Sequence, residues 1–277
     1  MQGGRLKVDV VIPTYRTPHP LCWKAAERML AFSRCKCDQD NLDQLAHGKK
    51  VVPTFQNTHH PADCPKGKHD IFMTPSISAA ILHWTRNASI MGTRKDTDYV
   101  LMCDDDMVPE PDHLERLLAH RVDIVGGICM KRIDPCKPNI RRWVDAVQNY
   151  GEILAWDESE TLIEVDAIGT AFLLISRKVI EDVGMAYHKF QYEHTGDGWW
   201  FEYLRAPGGH EWGEDLSFCW KAQRLGYPIY CDITVNPGHI GDYVFRLADY
   251  KEFQAEEIAA AQAAASKDST RGVLITV

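Results

Sequence analysis

Three consecutive acids, Asp104, Asp105 and Asp106, follow directly on the apolar run Val100-Leu101-Met102-Cys103. That run has the length and character of a strand buried on both faces of a parallel sheet, which puts three carboxylates at the mouth of a buried strand. Carboxylates so placed repel one another unless a cation or open water offsets the repulsion. Hard oxygen donors at a strand-to-loop junction suit Mg²⁺ or Mn²⁺, which keep some waters and use few carboxylates alongside a ligand's phosphates. The competing reading is a solvated acidic turn or a helix start, where Asp is favoured. A second acidic pair, Glu214-Asp215, opens a segment of helical period, an ordinary place for acids by itself. Cys35-x-Cys37, Cys64, His59, His60 and His69 have the residue types of a zinc site, but their spacing matches no standard ligand pattern.

The elements that must position these groups alternate between strand and helix. Lys7 to Ile12 reads as a first strand stopped at Pro13-Thr14-Tyr15-Arg16, and a helix follows from about 20 to 32 with Leu21, Ala25, Met29 and Phe32 on one stripe. Residues 33–70 are polar and read as a loop insertion with one short strand at 51–55. Thr74-Pro75 has the form of a capped helix start, and Ile77, Ala80, Ile81, Trp84, Ala88 and Met91 then form an apolar stripe. After the acids come a helix bearing Leu114, Leu117 and Leu118, a strand over 123–130, and a stretch of short strands between 135 and 160. Residues 162–175 read as one long strand containing Gly169-Thr170, a place for a bulge or a close ligand approach. The loop 196–201 carries Trp199 and Trp200, which either stack on a ligand or anchor the packing. The helix from Glu214, with Phe218, Ala222 and Leu225 on one face, is stopped by Gly226. A strand at 227–231, the segment 235–241 with His239, a helix over 246–265 and a loosely held tail complete the chain.

Composition narrows the possibilities. The chain has 277 residues, 45% hydrophobic and 25% charged, enough for a substantial core. A formal net charge of -8 argues against binding nucleic acid by phosphate neutralisation. No run approaches the roughly 18 apolar residues of a membrane helix, and no signal-type core follows the N-terminus, so a cytosolic (cytoplasmic) protein is expected. The nine cysteines form no C-x-x-C pair and are expected to be reduced, with Cys103, Cys129, Cys219 and Cys231 acting as small buried hydrophobes.

Four segments in this order resemble the family-2-like glycosyltransferases of the GT-A fold. They are the opening strand with its Pro-Thr-Tyr loop, the Arg86-Asn87 helix leading into Asp98–Leu118, the Gly169-Thr170 strand, and Gly213-Glu214-Asp215 with the later His239. The resemblance implies an α/β fold with a Rossmann-like, mostly parallel central sheet flanked by helices and a smaller acceptor-side subregion. It implies one domain over 1–245, with a nucleotide-sugar-binding half at 7–130 and an acceptor and catalytic half at 131–245, followed by a C-terminal helix and tail at 246–277. By the same resemblance Thr14, Tyr15, Arg16, Arg86, Asn87, Asp104, Asp105, Gly169 and Thr170 would bind the sugar nucleotide. Asp104, Asp106 and His239 would hold Mn²⁺ or Mg²⁺, and Trp199 and Trp200 would meet the acceptor. Asp215 would be the general base of an inverting transfer to an acceptor hydroxyl, with Glu214 binding the acceptor or substituting as base. Lys131 and Arg132 either face donor phosphates or are solvated. The family's usual acid at the end of a second strand is missing here, which leaves the nucleotide base open. The alternatives are a retaining transferase of the same fold, a nucleotidyltransferase, and a binding module without turnover. Thr14-Tyr15-Arg16 lacks the glycines that a nucleotidyltransferase's phosphate loop would need.

Overall fold

In the computed structural model, described for residues 5–14, 17–34, 68–77, 81–187, 199–206 and 208–271, a seven-stranded sheet forms the centre. The strands are β1 (Lys7–Thr14), β2 (Asp70–Ile77), β3 (Tyr99–Cys103), β4 (Met107–Val108), β5 (Ile124–Gly127), β6 (Ile140–Val144), β7 (Asn149–Glu152), β8 (Leu162–Val165), β9 (Ala167–Ile168), β10 (Phe172–Ser176), β11 (Leu204–Arg205), β12 (Glu211–Trp212), β13 (Ile229–Asp232), β14 (Gly238–Ile240) and β15 (Val244–Phe245). The helices are α1 (Pro20–Arg34), α2 (Leu82–Met91), α3 (His113–Ala119), α4 (Arg177–Tyr187), α5 (Glu214–Arg224) and α6 (Leu247–Arg271). The central order is β2-β1-β3-β10-β5-β13-β8, in which only β10 and β8 run against the others. The expected mixed α/β fold with a mostly parallel sheet flanked by helices is therefore present.

Successive strand side chains point to opposite faces, and the core divides accordingly. Val8, Val10, Ile12, Leu101 and Leu174 pack with Met29 of α1 and with Leu114 and Leu117 of α3. Val11, Val100, Met102, Leu173 and Ile175 pack on the other face with Ile180 of α4 and Phe218 of α5. Burial on both faces is why these strands are largely apolar rather than alternating, and the one buried acid of β1, Asp9, is paired with Arg94.

Several sequence expectations are corrected. Thr74-Pro75 does not start a helix: it lies within β2, which pairs in parallel with β1 along its whole length. Proline removes a ladder donor, and β2 accepts one because it is the sheet's edge. The helix begins at Leu82; Leu82, Trp84 and Met91, with Ile81 just before it, are exposed, while Thr85, Arg86, Asn87, Ser89 and Ile90 are buried. The run 162–175 is three strands: β8 and β10 lie in the central sheet, and β9 pairs with β6 in a small sheet. Leu21 and Leu225 are exposed rather than packed, and the last helix continues to Arg271. The expected strand at 51–55 and the Cys35, Cys37, Cys64, His59 and His60 group lie outside the described residues. The six described cysteines, Cys22, Cys103, Cys129, Cys136, Cys219 and Cys231, are free and buried. No described helix is long and apolar enough to cross a membrane.

His113, at the start of α3, is 3% exposed, edge-on to the Phe172 ring, and accepts the Glu110 N–H at Nδ1 over 3.1 Å. Burial lowers its pKa from 6.5 to about 4. Between those pH values the unfolded chain binds a proton at this position that the folded chain does not, so stability falls as pH falls through the window. The expected loss is about 3 kcal/mol from the shift alone. Denaturant titrations between pH 7 and pH 4 should show a shallower slope for His113→Leu than for the wild type, and equal slopes would contradict this assignment.

Candidate functional site

The acidic triplet sits where β3 ends. Cys103 is the last residue of the strand, and the Asp104 N–H still donates to the Ala171 carbonyl at 2.8 Å. The chain then turns into β4, whose Met107 pairs with His239 of β14, while the Ile240 N–H donates to the Asp106 carbonyl at 2.9 Å. This register brings His239 beside the acids from more than a hundred residues away. The crevice beyond the carboxyl ends of the strands is where open α/β sheets bind ligands. Here it is a cavity of about 800 Å³ lined by Thr14, His19, Thr85, the three acids and Arg132, among others.

Each acid has different company. Asp104 accepts from Arg86 Nη2 with both carboxylate oxygens, at 2.9 and 2.8 Å. Asp105 accepts from the Thr14 hydroxyl at 2.5 Å, and burial with its two acidic neighbours raises its pKa despite that bond. Asp106 has Arg132 Nη1 at 2.8 Å on one oxygen and His239 Nε2 at 3.4 Å on the other. Burial pushes the Asp106 carboxyl up, but His239 and Arg132 outweigh it and hold the group below the usual range. The His239 imidazole is pushed down by burial and more strongly up by Asp106, so its pKa is raised.

His239 Nδ1 lies 2.7 Å from the Met130 carbonyl oxygen. A carbonyl can only accept, so Nδ1 carries the proton and Nε2 is turned toward Asp106. That is the arrangement that orients a metal-ligating histidine. The donor set of Asp106 and His239 thus fits a divalent cation. Among the described residues no group of three His, Cys, Asp or Glu side chains is already gathered as ligands.

Arg86 is 3% exposed, and its Nη1 reaches Glu214 Oε1 at 2.7 Å. Burial alone would lower its pKa, and Asp104, Glu214 and Asp215 reverse that. Burial raises the Glu214 carboxyl despite Arg86, which it shares with Asp104. Glu214 and Asp215 form the first turn of α5, so this bond fixes the helix start against the end of β3. Glu214 is 6% exposed, whereas Asp215 is partly exposed and, among the described residues, accepts the Leu216 N–H of its own helix.

The remaining expected residues divide between this site and packing roles. Asn87 spends its amide on the His83 and Phe201 carbonyls and on the Phe201 N–H, clamping the segment that follows Trp200. Trp200 donates its indole N–H to the Ile180 carbonyl at 2.6 Å and covers Gly184, which makes it a packing anchor. Trp199 instead belongs to a ring cluster with His83 and Trp84, and His83 also contacts Tyr203. A Cβ on Gly169 would stand 2.0 Å from the Asn139 side-chain nitrogen, so the close approach there is to the chain's own Asn139. The Thr170 hydroxyl is buried without a hydrogen-bond partner among the described residues. Lys131 pairs with Glu152, while Arg132 lines the cavity. Tyr15 and Arg16 lie outside the described residues. The sequence reading missed Trp84 and Tyr203 as exposed aromatics: helical period assigned Trp84 to the core, and nothing marked Tyr203.

No family model and no curated protein matches the chain. Among solved structures, the crystal structure of A197 from STIV is similar over 85% of this chain and 86% of that one, at 14% identity and a TM-score of 0.41. The 4-diphosphocytidyl-2C-methyl-D-erythritol synthase of Anaerococcus prevotii DSM 20548 is similar over 70% of this chain and 81% of that one, at 10% identity and a TM-score of 0.34. Likenesses this distant carry no argument about activity, so the functional reading rests on the site itself.

Proposed function

We propose that this chain is a metal-dependent glycosyltransferase of GT-A type that moves a sugar from a nucleoside-diphosphate sugar to an acceptor hydroxyl, with inversion. The observation that carries the reading is the pairing of Asp106 with an oriented His239, next to Arg132, at the rim of a cavity beyond the carboxyl ends of β1 and β3. Such a site gathers groups for a cation and for a phosphate together.

Asp106 and His239 would hold Mn²⁺ or Mg²⁺, with the nitrogen ligand favouring Mn²⁺. When bound, that ion neutralises the diphosphate as the glycosidic bond breaks. Arg132 is about half exposed and has the reach to turn from Asp106 to a phosphate oxygen. Thr14 holds Asp105 in one orientation at the cavity wall, where a ribose or sugar hydroxyl can donate to it. Glu214 is occupied by Arg86, which leaves Asp215 as the acid of the pair that takes the acceptor's proton. Trp199, with Trp84 and Tyr203 nearby, offers aromatic area to the acceptor.

The reading is tested by incubating the chain with a panel of sugar nucleotides and Mn²⁺ and following release of nucleoside diphosphate. At least one donor should be consumed in a metal-dependent way. If no donor is consumed or bound with any divalent metal, the transferase reading fails.

A further inference from the structure

The three acids differ in what a cation would have to displace. Asp104 faces a guanidinium that is buried, bonded to both its oxygens, and tied at its other end to Glu214. Asp106 faces Arg132, which is 51% exposed on its side chain and sits on a surface loop. A long exposed arginine can swing into water or onto a phosphate at little cost. Arg86 cannot leave without stranding the buried Glu214 carboxylate and uncovering Asp104, and a dication brought to Asp104 would be repelled by its fixed charge.

We propose that Arg86 is a positioning residue that withholds Asp104 from the cation and spends it on fixing α5. On this account the cation is held by Asp106 and His239 with Asp105 beside them, and Asp104 is a structural tie. The tie runs from the end of β3 through Arg86 to Glu214, and so sets where the neighbouring Asp215 stands relative to the cation. This inference rests on the cation-site reading above and departs from the expectation that Asp104 is itself a ligand.

The test uses Mn²⁺ alone and the full chain, with free Mn²⁺ counted by electron paramagnetic resonance. Asp106→Asn should weaken Mn²⁺ binding by about tenfold or more, and Asp104→Asn should change it by less than about threefold, because the latter removes no ligand and only a charge that Arg86 already offsets. Arg86→Met should tighten Mn²⁺ binding by about tenfold, since it frees a further carboxylate for the ion, and adding Asp104→Asn should abolish that gain. A merely structural Arg86 would loosen the site on removal, so the sign of the change separates the two roles. Equal losses from Asp104→Asn and Asp106→Asn would overturn the inference, as would an Arg86→Met chain with native circular dichroism and no tighter binding. If Arg86→Met does not fold, the comparison of the two aspartate variants decides. A wild-type chain that binds no Mn²⁺ would refute the cation site itself, which is a separate result.

Discussion

Asp215→Asn is expected to slow sugar transfer by about 10²-fold or more while leaving donor binding in place, the usual scale for a lost general base. The expectation follows from the division of labour at the start of α5. Glu214 and Asp215 are adjacent acids, but of the two it is Glu214 that Arg86 bonds directly, within the protein. Asp215 has no cationic partner among the hydrogen bonds and ion pairs of the described residues, and its side chain is partly open to solvent. An acid that must take a proton needs access to the hydroxyl and a lone pair not already committed, and Asp215 meets both conditions better than its neighbour. Asparagine keeps the size and the bond to the Leu216 N–H while losing the basicity. Single-turnover rates at saturating donor, compared with the donor Kd, separate the chemical step from binding. A wild-type rate in Asp215→Asn would remove it from the mechanism.

Arg86→Ala is expected to destabilise the chain by about 3 kcal/mol, because it leaves Glu214 buried, and Asp104 partly buried at the cavity wall, without their counter-charge. The arginine bridges three elements, α2, the end of β3 and the start of α5, through bonds of 2.7 to 2.9 Å. Replacing the acids together with the arginine by Met, Leu and Asn-sized neutral groups should recover much of that loss, since the cost comes from stranded charge rather than from the absent bonds. Urea midpoints of the single and combined variants measure this. A loss below about 1 kcal/mol for Arg86→Ala would mean that water reaches the acids and the triad is not buried in solution.

Much of the fold was legible because it is written locally. The apolar run to Cys103 followed by acids has the pattern of a buried strand ending at a turn, and it forms one; Gly226, at φ 86°, stops α5 where glycine was expected to. The misreadings share a cause, which is that long-range partners decided them. Thr74-Pro75 has a helix-start pattern, yet pairing with β1 made it strand. The stripe of Ile81, Trp84 and Met91 looked like the buried face of α2, but the face that went inward is polar except for Ile90. It could do so because its groups found partners: Arg86 reaches Asp104, 18 residues on, and Glu214, 128 residues on, while Asn87 clamps Phe201. Periodicity cannot see partners at that separation. For the candidate site, the family resemblance pointed to Asp106, Asp215 and His239, whereas the β4–β14 pairing that sets His239 beside Asp106 and the tie that joins Asp104 and Glu214 to Arg86 are tertiary and are not written in any local pattern.

The central claim is that Asp106 anchors a cation that the sugar nucleotide needs. The most direct measurement is donor hydrolysis as a function of Mn²⁺ concentration, for the wild type and for Asp106→Ala, with the donor that the panel identifies. The account predicts a saturable rise in the wild type and a rate at least about 10²-fold lower in the variant at every Mn²⁺ concentration, the scale of a lost electrostatic stabiliser. Hydrolysis that is indifferent to Mn²⁺, or that survives Asp106→Ala intact, would contradict it.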